Sequence, residues 1–84
     1  MPEVAPLSNI VLKKAQKYQI KRKLLKTLQL LKENPKHPSL HVELLEPKKY
    51  AIWSFRIDRK FRALFIMHKD KQIVEILAIT VHYH

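Results

Sequence analysis

Three consecutive runs, "YAIWSFRI", "FRALFIMH" and "QIVEILAITV", fill residues 50–81 and are joined only by the polar triplets "DRK" and "KDK". Such gaps are too short for a crossover, so runs this rich in aromatic and β-branched residues must pair as antiparallel hairpins. The preceding "HVELLEP" reads as an edge strand, giving three to four strands in all. The chain contains no Gly. Turns that demand positive φ are therefore disfavoured, and longer loops built on type I turns are expected. Pro6 confines any first strand within "EVAPL" to the sheet edge.

Residues 8–35, "SNIVLKKAQKYQIKRKLLKTLQLLKENP", follow a helical period instead. Val11, Ala15 and Tyr18 form one apolar stripe; Ile20, Leu24, Leu28 and Leu31 form another. One or two amphipathic helices are predicted, with Ser8 as N-cap, a break between Lys17 and Gln19, and a stop at Asn34-Pro35. Lys13, Lys14, Lys17, Lys21, Arg22, Lys23 and Lys26 lie on the outer faces, an arrangement commonest on solvated helices.

The last two strands are apolar on both faces. Alternation puts Phe61, Ala63, Phe65 and Met67 opposite Leu64 and Ile66, and Val74, Ile76 and Ala78 opposite Ile73, Leu77 and Ile79. One face is expected to take the helices, and the other is either a second part of the core or a surface for a partner.

At 84 residues the chain is a single domain, 1–84, and without Cys it relies on packing rather than disulfides or a thiolate metal site. Seventeen Lys and Arg against seven Asp and Glu give a net charge of +10, which favours polyanion partners. No apolar run approaches the ~20 residues that span a bilayer. The opening "MPEVAPLSNIV" also lacks a charged segment followed by an apolar one, so no membrane association and a cytoplasmic location are expected. His82 and His84 are spaced for metal, but no third ligand accompanies them, and no metal or cofactor is expected.

If "DRK" forms a three-residue loop, Ile57 pairs with Phe61 and Arg56 with Arg62. Two guanidinium groups then leave one face about 5 Å apart at Cβ, where like charges are destabilising. The cost is relieved by an anion held between them, a phosphate above all, or by local carboxylates such as Asp58 and Glu75. The end of the last run, "ITVHYH", adds the titratable His82 beside Tyr83.

The order "LLKTLQLLKENPKHPSLHVELLEP", "YAIWSFRIDRKFRALFIM", "IVEILAITVHYH" resembles the RelE/ParE toxin superfamily of bacterial toxin–antitoxin modules over nearly the whole chain. The "WSFRI" strand, the Arg of "FRALF" and the terminal His-Tyr are most similar to the YoeB and HigB-like branches. The resemblance implies an α+β RelE-like fold, two N-terminal helices packed on a twisted antiparallel sheet. It also implies a ribosome-dependent mRNA endonuclease that cuts without metal, by attack of a ribose 2′-OH on the adjacent phosphate, and so inhibits translation. Carried over by position, Arg56 and Arg62 match the phosphate-binding residues, His82 the general acid and Tyr83 an adjacent aromatic. Glu43 matches the general base, with Glu46 as the alternative. Lys13, Lys14, Lys17, Lys21, Arg22, Lys23, Arg59 and Lys60 would add phosphate contacts. The implied partners are a cognate antitoxin, in a heterotetramer, together with mRNA in the ribosomal A site. Two other readings stay open: a ParE-like gyrase poison, and a catalytically inactive module that binds nucleic acid or antitoxin.

Overall fold

Ser8 starts the first helix as its position predicts. Its Oγ accepts the Val11 N–H at 3.2 Å, and α1 runs Asn9–Lys17. The computed structural model describes residues 3–68 and 72–81. Gln19 adopts φ 58°, and the Ile20 N–H reaches back to the Ala15 carbonyl at 2.9 Å. That turn separates α1 from α2, Lys21–Glu33, at the predicted break. Beyond α2 the Asn34 N–H still bonds the Leu30 carbonyl, and Pro35 then prevents continuation. Val11 and Ala15 of α1 and Leu24, Leu28 and Leu31 of α2 are buried, together with Ile20 between the helices.

These stripes cover one face of a five-stranded sheet: β1 Glu3–Val4, β2 Glu43–Leu44, β3 Trp53–Arg56, β4 Phe61–His68 and β5 Ile73–Val81, in the order β1-β5-β4-β3-β2. Four strands are antiparallel as expected, β2 being the anticipated edge. The fifth, β1, pairs parallel to β5 and makes the sheet mixed. Two residues carry no readable alternation. The pairing rests on main-chain bonds, from Glu3 N–H to the Gln72 carbonyl at 2.7 Å and from Ala5 N–H to the Val74 carbonyl at 2.8 Å. Pro6 ends it at the edge, as expected.

Simple alternation fails once. Leu64 pairs with Ala78 but Phe65 pairs with Ile76, so Leu77 is a bulged residue without an opposite number. One extra residue inverts every side chain beyond it. Ile79 therefore joins Val74 and Ile76 in the core, and Ala78 turns with Leu64 to the far face, the reverse of the assignment from period alone. Phe55 and Phe65 fill the centre with ring centroids 5.7 Å apart, and Tyr18 of the helical layer stacks at 4.8 Å on Phe61.

The β3–β4 turn is built without Gly by one carboxylate. Asp58 Oδ1 accepts the N–H groups of Lys60 and Phe61 at 2.8 and 2.9 Å, and Oδ2 takes Lys23 Nζ at 3.1 Å. The Ile57 N–H bonds the Phe61 carbonyl at 3.0 Å and closes the loop in the predicted three-residue register. Among the described residues, positive φ occurs at Gln19, His41 and Ala51, none of them in this hairpin. Partial burial raises the Asp58 pKa, but the two N–H bonds and the Lys23 ammonium outweigh it and hold the carboxyl below its ordinary 3.8.

A carboxyl with a depressed folded pKa stabilises fully above its unfolded value, and the contribution is lost as pH falls through the folded value. Asp58→Ala is expected to cost about 1–3 kcal/mol at neutral pH by removing the turn's acceptor. Asp58→Asn keeps an acceptor and should cost less, and its stability should fall less than wild type between about pH 5 and 2. Urea denaturation of the three proteins at both ends of that range checks the assignment; an acid response in Asp58→Asn equal to wild type contradicts it.

Candidate functional site

Arg56 and Arg62 stand directly opposite each other across β3 and β4. Their neighbours Phe55, Ile57, Phe61 and Ala63 are buried toward the helices, so both arginines leave the sheet on the other side. What holds two like charges there is visible bond by bond. Arg62 Nε and Nη2 donate to Ser54 Oγ at 3.1 and 2.9 Å, and Nη2 also donates to the His41 carbonyl at 2.6 Å. Arg56 Nε donates to the Asp58 carbonyl at 3.3 Å, and Nη1 lies 3.4 Å from His41 Nε2.

A guanidinium has five N–H donors. Arg62 uses three of them internally and is pinned; its Nη1 end and the outer end of Arg56 keep unengaged donors among the described residues. Among the described residues no carboxylate lies in salt-bridge contact with either arginine: Asp58 is paired with Lys23, and Glu75 lies 2.7 Å from His68 Nε2. The site is thus a double cation, pinned at Arg62, that keeps unengaged donors among the described residues, which suits an oxyanion held by both guanidinium groups.

Two members of this site were not found by sequence reasoning. Ser54 is 1 % exposed and lies within "WSFRI", where it reads as an ordinary strand residue. His41 caps the short 3-10 turn Pro38–Leu40 with φ 45°. That left-handed conformation lets the carbonyl meet Arg62 while the ring meets Arg56. No spacing in the sequence relates a loop histidine to residues 15 and 21 positions later; only the fold does. Because a guanidinium only donates, the Nε2 facing Arg56 carries the lone pair, which assigns the ring proton to Nδ1.

Glu43 lies opposite Ser54 on the β2 edge and is exposed. With Arg62, Ser54, Leu64 and Thr80 it lines a depression of about 150 Å³. Glu46 is exposed, two residues beyond the end of β2. Thr80 pairs with Arg62 and Val81 with Phe61. His82 and Tyr83 lie outside the described residues.

The expected cationic contacts divide between two sides. Lys13, Lys17, Lys21, Arg22 and Lys23 are exposed on the helices and Lys14 is half-buried there, across the sheet from the arginine pair. Lys23 is further engaged by Asp58. Arg59 and Lys60 are exposed in the β3–β4 turn, at the arginines' own end of the sheet.

Two helices on one face of a five-stranded mixed sheet, with a cationic pair on the other, define a small α+β class. The same fold is seen in the solved structure of a YoeB/ParE toxin from Agrobacterium tumefaciens, with a TM-score of 0.69 over 96% of this chain and 99% of that one. The two sequences are 17% identical. No family model matches the chain, and no curated protein matches it.

The Ser54–Arg62 contact gives a direct test. Either Ser54→Ala or Arg62→Ala is expected to cost about 1–3 kcal/mol, because each strands a polar partner. Together they should cost less than the sum by at least ~0.5 kcal/mol. A double-mutant cycle in denaturant measures this, and strict additivity rejects the contact.

Proposed function

We propose that this chain is the toxin of a toxin–antitoxin pair, acting in the cytoplasm as a ribosome-dependent mRNA endonuclease. The observation that carries the reading is the Arg56–Arg62 pair, without an ion-pair partner among the described residues and fixed in register on the face away from the helices. Fold likeness to a protein described as a YoeB/ParE toxin supports it, as does the resemblance of "WSFRI", "FRALF" and the terminal His-Tyr.

The proposed reaction forms a bond from the ribose 2′-oxygen to phosphorus and breaks the bond from phosphorus to O5′, leaving a 2′,3′-cyclic phosphate and a 5′-hydroxyl. Negative charge grows on the non-bridging oxygens, where the free donors of Arg56 and Arg62 stabilise it. His82 follows Val81 in the chain and supplies the proton to O5′, with Tyr83 beside it. By the resemblance, Glu43 on the β2 edge takes the 2′-OH proton. Arg59, Lys60 and the helix lysines add attraction to RNA phosphates that does not depend on sequence. The antitoxin completes the resting state as a heterotetramer. The comparison protein's description spans YoeB and ParE alike, which keeps gyrase poisoning as the second reading.

Induced expression of wild type, Arg56→Ala, Arg62→Ala and His82→Ala in bacteria, with primer extension on a reporter mRNA, tests the proposal. Wild type is expected to stop growth and create new 5′ ends within translated codons. Each variant should reduce cutting about 100-fold or more. Growth arrest without cuts moves the assignment to gyrase, and neither effect leaves a binding-only protein.

A further inference from the structure

His41 stands between two spaces. On one side is the arginine pair, with Nε2 3.4 Å from Arg56 Nη1. On the other is a hollow of about 360 Å³ formed by Pro35, Lys36, His37, Pro38, His41 and Val42, within the size range of small-ligand pockets, roughly 300–1,000 Å³. The ring is on an exposed residue, so substrate can reach it. Its backbone is fixed through Arg62, and the guanidinium of Arg56 keeps the Nε2 lone pair turned toward the anion site.

We infer that His41 is the proton acceptor of the cleavage step, with the nucleoside on the 5′ side of the scissile phosphate seated in the Pro35–Val42 hollow. The inference rests on the RNA-cleavage reading above and gives to His41 the role that resemblance gives to Glu43. A phosphate bound by the outer donors of Arg56 and Arg62 draws Arg56 away from His41 and frees Nε2. The ribose that joins the hollow to this phosphate then carries its 2′-OH past the ring. Nε2 takes the 2′-OH proton as the 2′-oxygen bonds to phosphorus; the P–O5′ bond breaks and O5′ receives a proton from His82. Proton and charge balance with no co-reactant. Glu43 stands farther along the edge, opposite Ser54, where its carboxylate would meet the phosphate's own negative charge.

The charged and titratable groups around the ring are Arg56 and Arg62 from the sheet, Lys36 and His37 from the preceding loop, and Glu43 two residues on. An imidazole accepts a proton only while neutral, so a cleavage rate that depends on one carries an acid limb.

His41→Asn separates proton transfer from positioning. Asn tolerates the left-handed backbone, and its amide oxygen can still accept from Arg56, but it has no basic nitrogen. The measurement is single-turnover cleavage of a reporter mRNA on purified ribosomes between about pH 5.5 and 8.5, together with anisotropy of a labelled single-stranded oligoribonucleotide. His41→Asn is expected to bind the oligonucleotide within about twofold of wild type, to cleave about 100-fold more slowly, and to lose the acid limb of the rate profile. Cleavage at the wild-type rate with the acid limb intact, above all if Glu43→Gln abolishes it, overturns the assignment and leaves the endonuclease reading standing. A parallel loss of binding makes His41 a positioning residue instead and also overturns it. Wild-type protein that leaves the mRNA intact removes the endonuclease reading and His41 with it.

Discussion

The Asp58 carboxylate sets the geometry on which everything else depends. By accepting the Lys60 and Phe61 N–H groups it closes the β3–β4 turn in one register, and through Lys23 it ties that turn to α2. A slip of one residue would exchange the two faces of the strand that moved. Were that β3, Phe55 would face solvent and Arg56 would be driven into the helical layer. Apolar burial and cation placement are thus one choice, made at a single turn.

Two arginines opposite each other cost stability, and the fold spends structure on reducing that cost rather than on neutralising it. Ser54, the Asp58 carbonyl and both ends of His41 accept from the guanidinium groups, and these contacts are dipolar, leaving the net charge in place. A carboxylate in any of those places would bind more strongly and close the site to an incoming anion. The Asp58 carboxylate is taken by Lys23 and the turn N–H groups, and Glu43, which lines a depression with Arg62, forms no ion pair with it among the described residues. Local stability is given up where donors are left free, which is the trade expected of a binding site rather than of a structural ion pair.

Features governed by local periodicity were legible in the sequence. The helix stripes, the Ser8 cap, the break at Lys17–Gln19 and the Arg56–Arg62 register all follow from spacing within one or two elements. What escaped depends on distant segments or on irregularity. The Leu77 bulge has no compositional mark, because Ala78 and Ile79 are both apolar and either could face the core. β1 is held by main-chain bonds to β5 with Val4 alone packed against the core, too little for a readable pattern. Ser54 and His41 acquire their roles only when β3, β4 and the Pro38–Leu40 turn come together.

The two edges of the sheet show why the site lies where it does. β1 and β2 have two residues each, with Pro6 close behind the first and Pro47 close behind the second. Short, proline-limited edges resist pairing with other chains. At the β2 edge the brevity has another consequence. Before β2 the chain leaves the ladder early enough to fold the Pro38–Leu40 turn back over the sheet, which brings His41 above the arginines. A longer β2 extended toward Pro38 would pair the His41 backbone with the sheet, and its carbonyl could no longer serve Arg62. The strand is kept short enough for the loop before it to complete the cationic site.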